Sequence, residues 1–340
     1  MPSNRLQAFD DTSLAFKLGV PTRKLWFAIV ANDYERNLAN RGMYKVFKIK
    51  KKSGGYRIIH DPCVFLKRLQ HIILKEVLDV VTLPTHVGAY VKGRGLEHTS
   101  SQHVGASLII HLDIVDFFNS TRKAWVREMF QDIGYNEVTS KLLASLVTAP
   151  VALSNGHKVG GVPQGACTSG SVCNLVADKR LDHPLLEYLR SRPEEWTYTR
   201  YADDLCVSTK AAVSDDTVRQ IKNDLQSIIS ASGYRTNRRK TRHSRPTNPN
   251  KGMRVLGHSV HTHVNIPAPV YRRLRAVVHN CETKGVGSQA RRYGASSSEE
   301  LLTRLSGEVG YWRHICPTKK IESLYQSLQR IIRREFGSDP

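Results

Sequence analysis

The stretch "SLIIHLDIVDFFNS", residues 107–120, is a nearly continuous apolar run that holds Asp113. Apolar side chains at successive positions suit a strand covered on both faces, so the chain needs a central sheet with layers on either side. A second strand-forming stretch, "TYTRYADDLCVS" at 197–208, reads as a β-hairpin. Aromatic and β-branched residues favour a pleated, half-buried surface, and Ala-Asp-Asp suits a tight turn. The turn sets Asp203 beside Asp204. Like charges this close raise each other's pKa unless something positive sits between them, and a divalent cation is the usual answer. A lone Asp-Asp pair is more often a solvated turn, so the rest of the chain has to decide. With Asp113 on a neighbouring strand, three carboxylates would meet at one point. Such an all-oxygen set suits a pair of magnesium ions better than zinc and fits an in-line displacement at phosphorus.

The other segments surround this centre with mixed structure. "SLAFKLGV" and "RKLWFAIVANDYERNLAN" have helical periodicity, and "YKVFKIKKKSGGYRIIHDP" alternates about a Gly-Gly turn, predicting strands over 44–50 and 55–60. "VFLKRLQHIILKEVLDVV" is an amphipathic helix, "RKAWVREMFQDIG" a helix that stops at Gly134, and helices fit 138–148 and 169–190. "VSDDTVRQIKNDLQSIISASG" starts on capping residues and ends on Gly233, and 254–266 reads as short strands. Three helices follow, over about 268–282, 297–314 and 318–335, with "KGVGSQARRYGASSS" expected as a flexible connection. The fold class is α+β with a helical C-terminal piece. A chain of 340 residues can bury a full core and divide into two or three subdomains.

Charge narrows the partners. The chain carries 51 Lys and Arg against 30 Asp and Glu, a net +21. Between Leu225 and Cys281 no acidic residue occurs, while Arg235, Arg238, Arg239, Lys240, Arg242, Arg245, Lys251, Arg254, Arg272, Arg273 and Arg275 all do. A one-sign field of this kind is aimed at an anion, and nucleic acid is the expected partner ahead of an acidic protein or a membrane. Six cysteines without Cys-x-x-Cys spacing indicate reduced thiols. No apolar run is long enough to span a bilayer and the N-terminus lacks the apolar run of a signal peptide, so a cytoplasmic location and no membrane partner are expected.

Five segments together resemble reverse transcriptases. "YADD" is similar to the palm hairpin of that family and "LDIVDFFNS" to its first palm motif. "GGVPQGACTSGSVCNL" is similar to the Pro-Gln-Gly motif, "GYRTNRRKTR" to the Gly-x-x-x-Asn-x-x-Lys-Thr motif, and "KKSGGYRIIHDPCVFLKRLQ" to the fingers. They occur in the family's order over about 50–260. The short length, the N-terminal helices and the lack of an endonuclease or maturase extension resemble bacterial retron enzymes. The resemblance implies a right-hand polymerase, with an N-terminal helical segment at 1–45, fingers over 46–110 with part of 135–165, palm over 111–260 and a helical thumb over 261–340.

It also implies residue roles. Asp113, Asp203 and Asp204, with the Ile114 backbone, would hold two magnesium ions, manganese being a substitute. Phe118 takes the place of the aromatic gate that excludes a ribose 2′-hydroxyl, so deoxynucleoside triphosphates would be preferred. Backbone amides from Ile114 to Phe117 would cradle the triphosphate with Arg57 and Lys240, and Gln164 would line the pocket on a turn shaped by Pro163 and Gly165. The retron Asn-Ala-x-x-His and Val-Thr-Gly signatures correspond to "TSSQHVG" at 99–105 and "RVLGHSV" at 254–260. His103 and Gly257 match them; Thr99, Ser100 and Leu256 depart. His103, Gly257, Arg238, Arg239, Arg242, Arg254, Arg272, Arg273, Arg330 and Arg334 are the expected RNA contacts. His258, His261 and His263 have no acidic or cysteine companion nearby and are expected to touch RNA phosphates rather than a metal. Tyr271, Tyr311 and Trp312 would stack on bases or pack in the core.

The implied activity is RNA-directed DNA synthesis on a cognate structured noncoding RNA, giving single-stranded DNA that stays attached to RNA (msDNA). A separate effector protein would act alongside it in anti-phage defence. A reverse transcriptase of another defence or mobile element, and a non-catalytic RNA-binding scaffold, are the alternatives.

Overall fold

Tyr44–Lys50 (β1) and Tyr56–Pro62 (β2) pair antiparallel, with Val46 opposite His60 and Lys50 opposite Tyr56, in a computed structural model described for residues 10–31, 43–51, 54–246 and 253–337. The predicted second strand thus begins one residue later and runs two residues further. Leu108–Asp113 (β3) is the apolar strand of the sequence reading, with five of its six residues buried. The short hairpin Ala149–Ala152 (β4) and Lys158–Gly161 (β5) follows, then Thr197–Tyr201 (β6), Asp204–Thr209 (β7) and Arg242–Ser244 (β8). The strand order β6-β7-β3-β8 makes one four-stranded sheet. β3 lies antiparallel to β7, with Asp113 opposite Asp204.

The chain divides into two compact units. The first comprises residues 1–95 and 108–243, the second residues 96–107 and 244–340. The first unit's core is built on β3 and β7, with Leu108, Ile110, Leu112, Leu205 and Val207 covered by helices on apolar stripes. One of these helices is Asp215–Ala231, where Ser214 Oγ caps the Thr217 amide and Val218, Ile221, Leu225 and Ile229 face inward. The helix ending at Ile133 closes on Gly134 in the left-handed region, as the sequence predicted.

The expected 169–190 helix is not uniform. It runs as α-helix over Ser169–Ala177 and His183–Arg190, with a π-turn at Asp178–Asp182 between them. Pro184 lies just beyond that turn, and a proline inside a helix has no N–H to donate and crowds the carbonyl four residues back, which a wider turn relieves.

In the second unit, Arg254–Val255 (β9), His258–Val260 (β10) and Val264–Asn265 (β11) form a three-stranded antiparallel sheet. The helix Leu96–Ser101 packs on β10 and β11. Helices Ala268–Lys284, Ser298–Ile315 and Lys319–Phe336 close around Leu274, Val278, Leu305, Leu324 and Leu328. The segment expected as a flexible connection instead contains the helix Val286–Arg292, because Val286 and Ala290 bury an apolar edge in that same core. The expected helix beyond Ala31 and residues 247–252 of the basic tract lie outside the described residues.

Candidate active site

The register of β3 on β7 sets Asp113 opposite Asp204, and the two-residue turn between β6 and β7 carries Asp203. Ala202, the first turn residue, has φ 57, the positive value that primed hairpin turns require. The Asp203 carbonyl accepts the Ile114 N–H at 2.9 Å, tying the turn to the end of β3. Asp113 is 6% exposed and its carboxylate receives Lys240 Nζ at 2.6 Å. Lys240 is delivered by the loop after Tyr234, where the Asn237 amide donates to the Asp113 carbonyl at 2.7 Å.

The electrostatics are those of a site short of positive charge. Desolvation, followed by the Asp113 charge, raises the Asp203 carboxyl above its ordinary range. Asp204 stands at the open edge of the site, yet desolvation by surrounding protein and the charges of Asp203 and Asp113 push it up to about 6, against the opposing pull of Lys240 and Arg242. The hydrogen bond to Asp113 raises Lys240 in turn. An ammonium already sits on one of three mutually repelling carboxylates, so an all-oxygen donor set here fits a hard divalent cation. Among the described residues, the one trio of potential ligand atoms within 4.8 Å of one another is a different one, His86, Asp178 and Asp182.

A cavity of about 210 Å³ opens beside Asp203, lined by Lys51, Arg57, Tyr90, Asp116, Phe117, Phe118, Asn119 and Gln164. Arg57, Phe117, Phe118 and Gln164, four of the residues expected around a nucleotide, therefore meet at one place. Gln164 is fixed by its backbone, whose carbonyl accepts the His60 N–H at 2.8 Å. The next residue, Gly165, has φ +123, and a Cβ there would fall 2.8 Å from Ile59 Cγ2 and 2.9 Å from the His60 carbonyl oxygen. Only glycine lets the loop lie this close to β2. The expected cradle of amides from Ile114 to Phe117 is narrower than the sequence suggested. The Ile114 N–H is committed to Asp203 and the Val115 N–H to the Arg235 carbonyl, as strand-type bonding at the end of β3 demands.

Sequence reading passed over Lys51, Tyr90, Asp116 and Asn119, and also the buried group behind the hairpin. Arg200, fully buried in β6, donates to both carboxylate oxygens of Asp182 and to the Asn174 side chain. Tyr198 OH also donates to Asp182, and His86 Nε2 lies 3.4 Å from Asp182 and Asp178. Burial would raise the Asp182 carboxyl, but Arg200, His86 and Tyr198 outweigh it and hold it below its usual range. The Arg200 guanidinium already supplies the cation beside this trio, so the group reads as an ion-paired brace. Its members come from three segments far apart in sequence, and the one local signal was an arginine within a strand-like run.

The expected RNA contacts separate by burial. Arg238, Arg239 and Arg242 are exposed on the first unit, as are Arg254, Gly257, Arg272, Arg273, Arg330 and Arg334 on the second. His103 is 1% exposed, so its ring belongs to the interior of the second unit. His258 is likewise buried, with Nδ1 2.8 Å from Ser100 Oγ and Nε2 2.6 Å from Tyr311 OH, and desolvation lowers its pKa. That corrects the expectation of phosphate contact at His258. The two signature-like stretches meet in this way, since the Gly105 amide also donates to the Val260 and His261 carbonyls. His263 is held by Thr262 and Asn265. Trp312 is buried in the helical core, whereas Tyr311 is 37% exposed.

The family described as reverse transcriptase (RNA-dependent DNA polymerase) matches residues 49–260. The chain is 33% identical over 247 residues to the retron Mx65 reverse transcriptase of Myxococcus xanthus, covering 69% of this chain and 55% of that one. It is 31% identical over 350 residues to the retron Mx162 reverse transcriptase of the same organism, covering 93% and 66%. With the retron Ec86 reverse transcriptase of Escherichia coli it shares 30% identity over 273 residues, covering 79% and 77%. The chain thus spans between half and two thirds of the length of the two Myxococcus relatives. The carboxylates on β3 and on the β6–β7 turn, and the cavity beside them, lie within the matched residues, and the chain belongs to the reverse transcriptases, of retron type.

Proposed function

We propose that this chain copies part of a cognate structured noncoding RNA into single-stranded DNA, taking deoxynucleoside triphosphates as substrates. The observation that carries the reading is the register that sets Asp113 opposite Asp204, with Asp203 on the adjoining turn beside a cavity lined by Arg57, Phe118 and Gln164. Arg57 and Lys51 offer cationic donors to a polyphosphate, and Gln164 offers an amide to the base or sugar. Phe118 presents a ring that has no hydrogen bond to give a 2′-hydroxyl. Asp113, Asp203 and Asp204 would hold the divalent cations, with the Ile114 backbone beside them and Lys240 withdrawing from Asp113 towards the phosphates. Magnesium bound there would supply Lewis-acid stabilisation of an in-line displacement at phosphorus.

Hairpin β1–β2 would serve as fingers, the four-stranded sheet as palm and the C-terminal helices as thumb. The exposed arginines at 238, 239, 242, 254, 272, 273, 330 and 334 would bind RNA through phosphates and shape. The retron type of the relatives supports an msDNA product that remains joined to RNA. A role in anti-phage defence beside a separate effector protein, and a cytoplasmic location, complete the proposal; no described helix is long and apolar enough to cross a membrane.

The test is to express the chain with its flanking genomic sequence and treat the copurifying nucleic acid with RNase and DNase separately. A discrete small DNA joined to RNA is expected from the native chain. The Asp203→Asn/Asp204→Asn variant should yield the RNA alone. Loss of bound RNA from a folded double variant would overturn the assignment of these residues.

A further inference from the structure

The loop that carries Tyr90 is held at many points for a segment without regular structure. The Arg94 guanidinium donates to the carbonyls of Leu83, Pro84 and Val87. The Gly88 N–H donates to the Arg200 carbonyl at 2.9 Å, and the Ala89 carbonyl accepts Asn174 Nδ2 at 2.7 Å. Tyr90 itself has φ 56, a left-handed conformation that costs energy for an aromatic residue and persists only where its surroundings impose it. Asp116, one of the other three non-glycine residues with positive φ among those described, lines the same cavity, and Ala202, another, directly precedes its lining residue Asp203.

These restraints deliver one ring. The Tyr90 side chain lies against Gly170, where an added Cβ would fall 2.6 Å from Tyr90 Cδ1 and 2.7 Å from Tyr90 Cβ. Its ring meets Phe118 edge to face, with centroids 5.9 Å apart and planes at 78°. Phe118 meets Phe117 in the same manner at 5.5 Å, and Phe117 is buried and stacked on Tyr234. The Phe118 ring therefore has a fixed aromatic partner in Phe117 and a second in Tyr90, which is 59% exposed and lines the cavity. A core residue would be buried; a ring left this open at such backbone cost points to the cavity's contents.

We infer that Tyr90 is a positioning residue for sugar selection, bracing the Phe118 ring so that a ribose 2′-hydroxyl meets a wall that cannot swing aside. The inference rests on the reading of Phe118 as the sugar-facing ring. The ring of Tyr90, rather than its hydroxyl, does the bracing, because the contact with Phe118 is edge to face.

The test measures kcat/KM for dGTP and GTP on a poly(rC) template with an oligo(dG) primer, using the full chain. Tyr90→Gly removes the ring while tolerating φ 56, so the loop keeps its path. This variant should lower the dGTP-over-GTP preference by on the order of tenfold, through a gain in GTP use rather than a loss of dGTP use. Tyr90→Phe should keep the native preference. Gly170→Ala, which displaces the ring from behind, should move the preference in the same direction as Tyr90→Gly. If Phe118→Val collapses the preference while Tyr90→Gly leaves it native, the brace is overturned and the Phe118 reading stands. If Phe118→Val leaves the preference native, the Phe118 reading fails and the inference falls with it.

Discussion

Single atoms decide much of this site. Gly165 has no room for a methyl group against Ile59 and the His60 carbonyl. Gly165→Ala should cost about 1–3 kcal/mol in unfolding free energy and lower kcat/KM for nucleotide incorporation by moving Gln164; urea denaturation and single-nucleotide assays would report the two effects. Asp204 gives a prediction in pH. Its folded carboxyl titrates near 6, above the ordinary carboxylate value, so the folded state holds this proton more firmly than the unfolded chain. The group's contribution to stability therefore falls as pH rises from about 4 through about 6. A bound divalent cation reverses the balance because it requires the carboxylate. Magnesium should raise the melting temperature more at pH 7 than at pH 5, and Asp204→Asn should shrink that difference; equal shifts in the native chain would count against Asp204 as a ligand.

Among elements, the β6–β7 hairpin depends on support that its own sequence does not contain. Arg200 and Asp182 are both fully buried and joined at 2.8 Å. Removing one partner leaves the other as an uncompensated buried charge. Arg200→Met should therefore destabilise the chain by roughly 3–5 kcal/mol, seen as a lower urea midpoint with an unchanged slope. Arg200→Met/Asp182→Leu should recover much of that loss, and failure to recover would assign the cost to packing instead. The π-turn at Asp178–Asp182 adjoins the same ion pair. Periodicity predicted one helix over 169–190 because the apolar stripe continues through the turn, and the local widening left no mark in it. The C-terminal helices were legible for the opposite reason: each has a clear apolar stripe, and two carry a side-chain cap, Ser297 Oγ on the Glu300 amide and Thr318 Oγ1 on the Ile321 amide.

For the molecule as a whole, two units with separate cores carry a net charge of +21. Binding to a structured RNA should weaken steeply with salt, since each neutralised phosphate releases counterions. Arg238→Ala/Arg239→Ala should lower affinity and reduce the slope of log affinity against log salt by roughly 0.7 to 0.9 for each phosphate that is no longer neutralised, measured by filter binding. An unchanged slope would remove these two arginines from the interface. The second unit is also discontinuous in sequence. Residues 96–107 join it because Ser100 meets His258 and Gly105 meets β10, pairings between distant parts of the chain that no local pattern announces.

The sequence alone determined the fold class and the order of the motifs, and it singled out the three aspartates as candidates, because each rests on a local signal: an apolar run, a turn composition, a spacing. The tertiary structure decided which side chains face one another. It put Tyr90 beside Phe118, closed Asp182 on Arg200, buried His103 and His258, and committed the Ile114 amide to Asp203. Contacts of that kind arise when distant segments pack and exclude water, and a property of pairs is not carried by either partner's own neighbours in the chain.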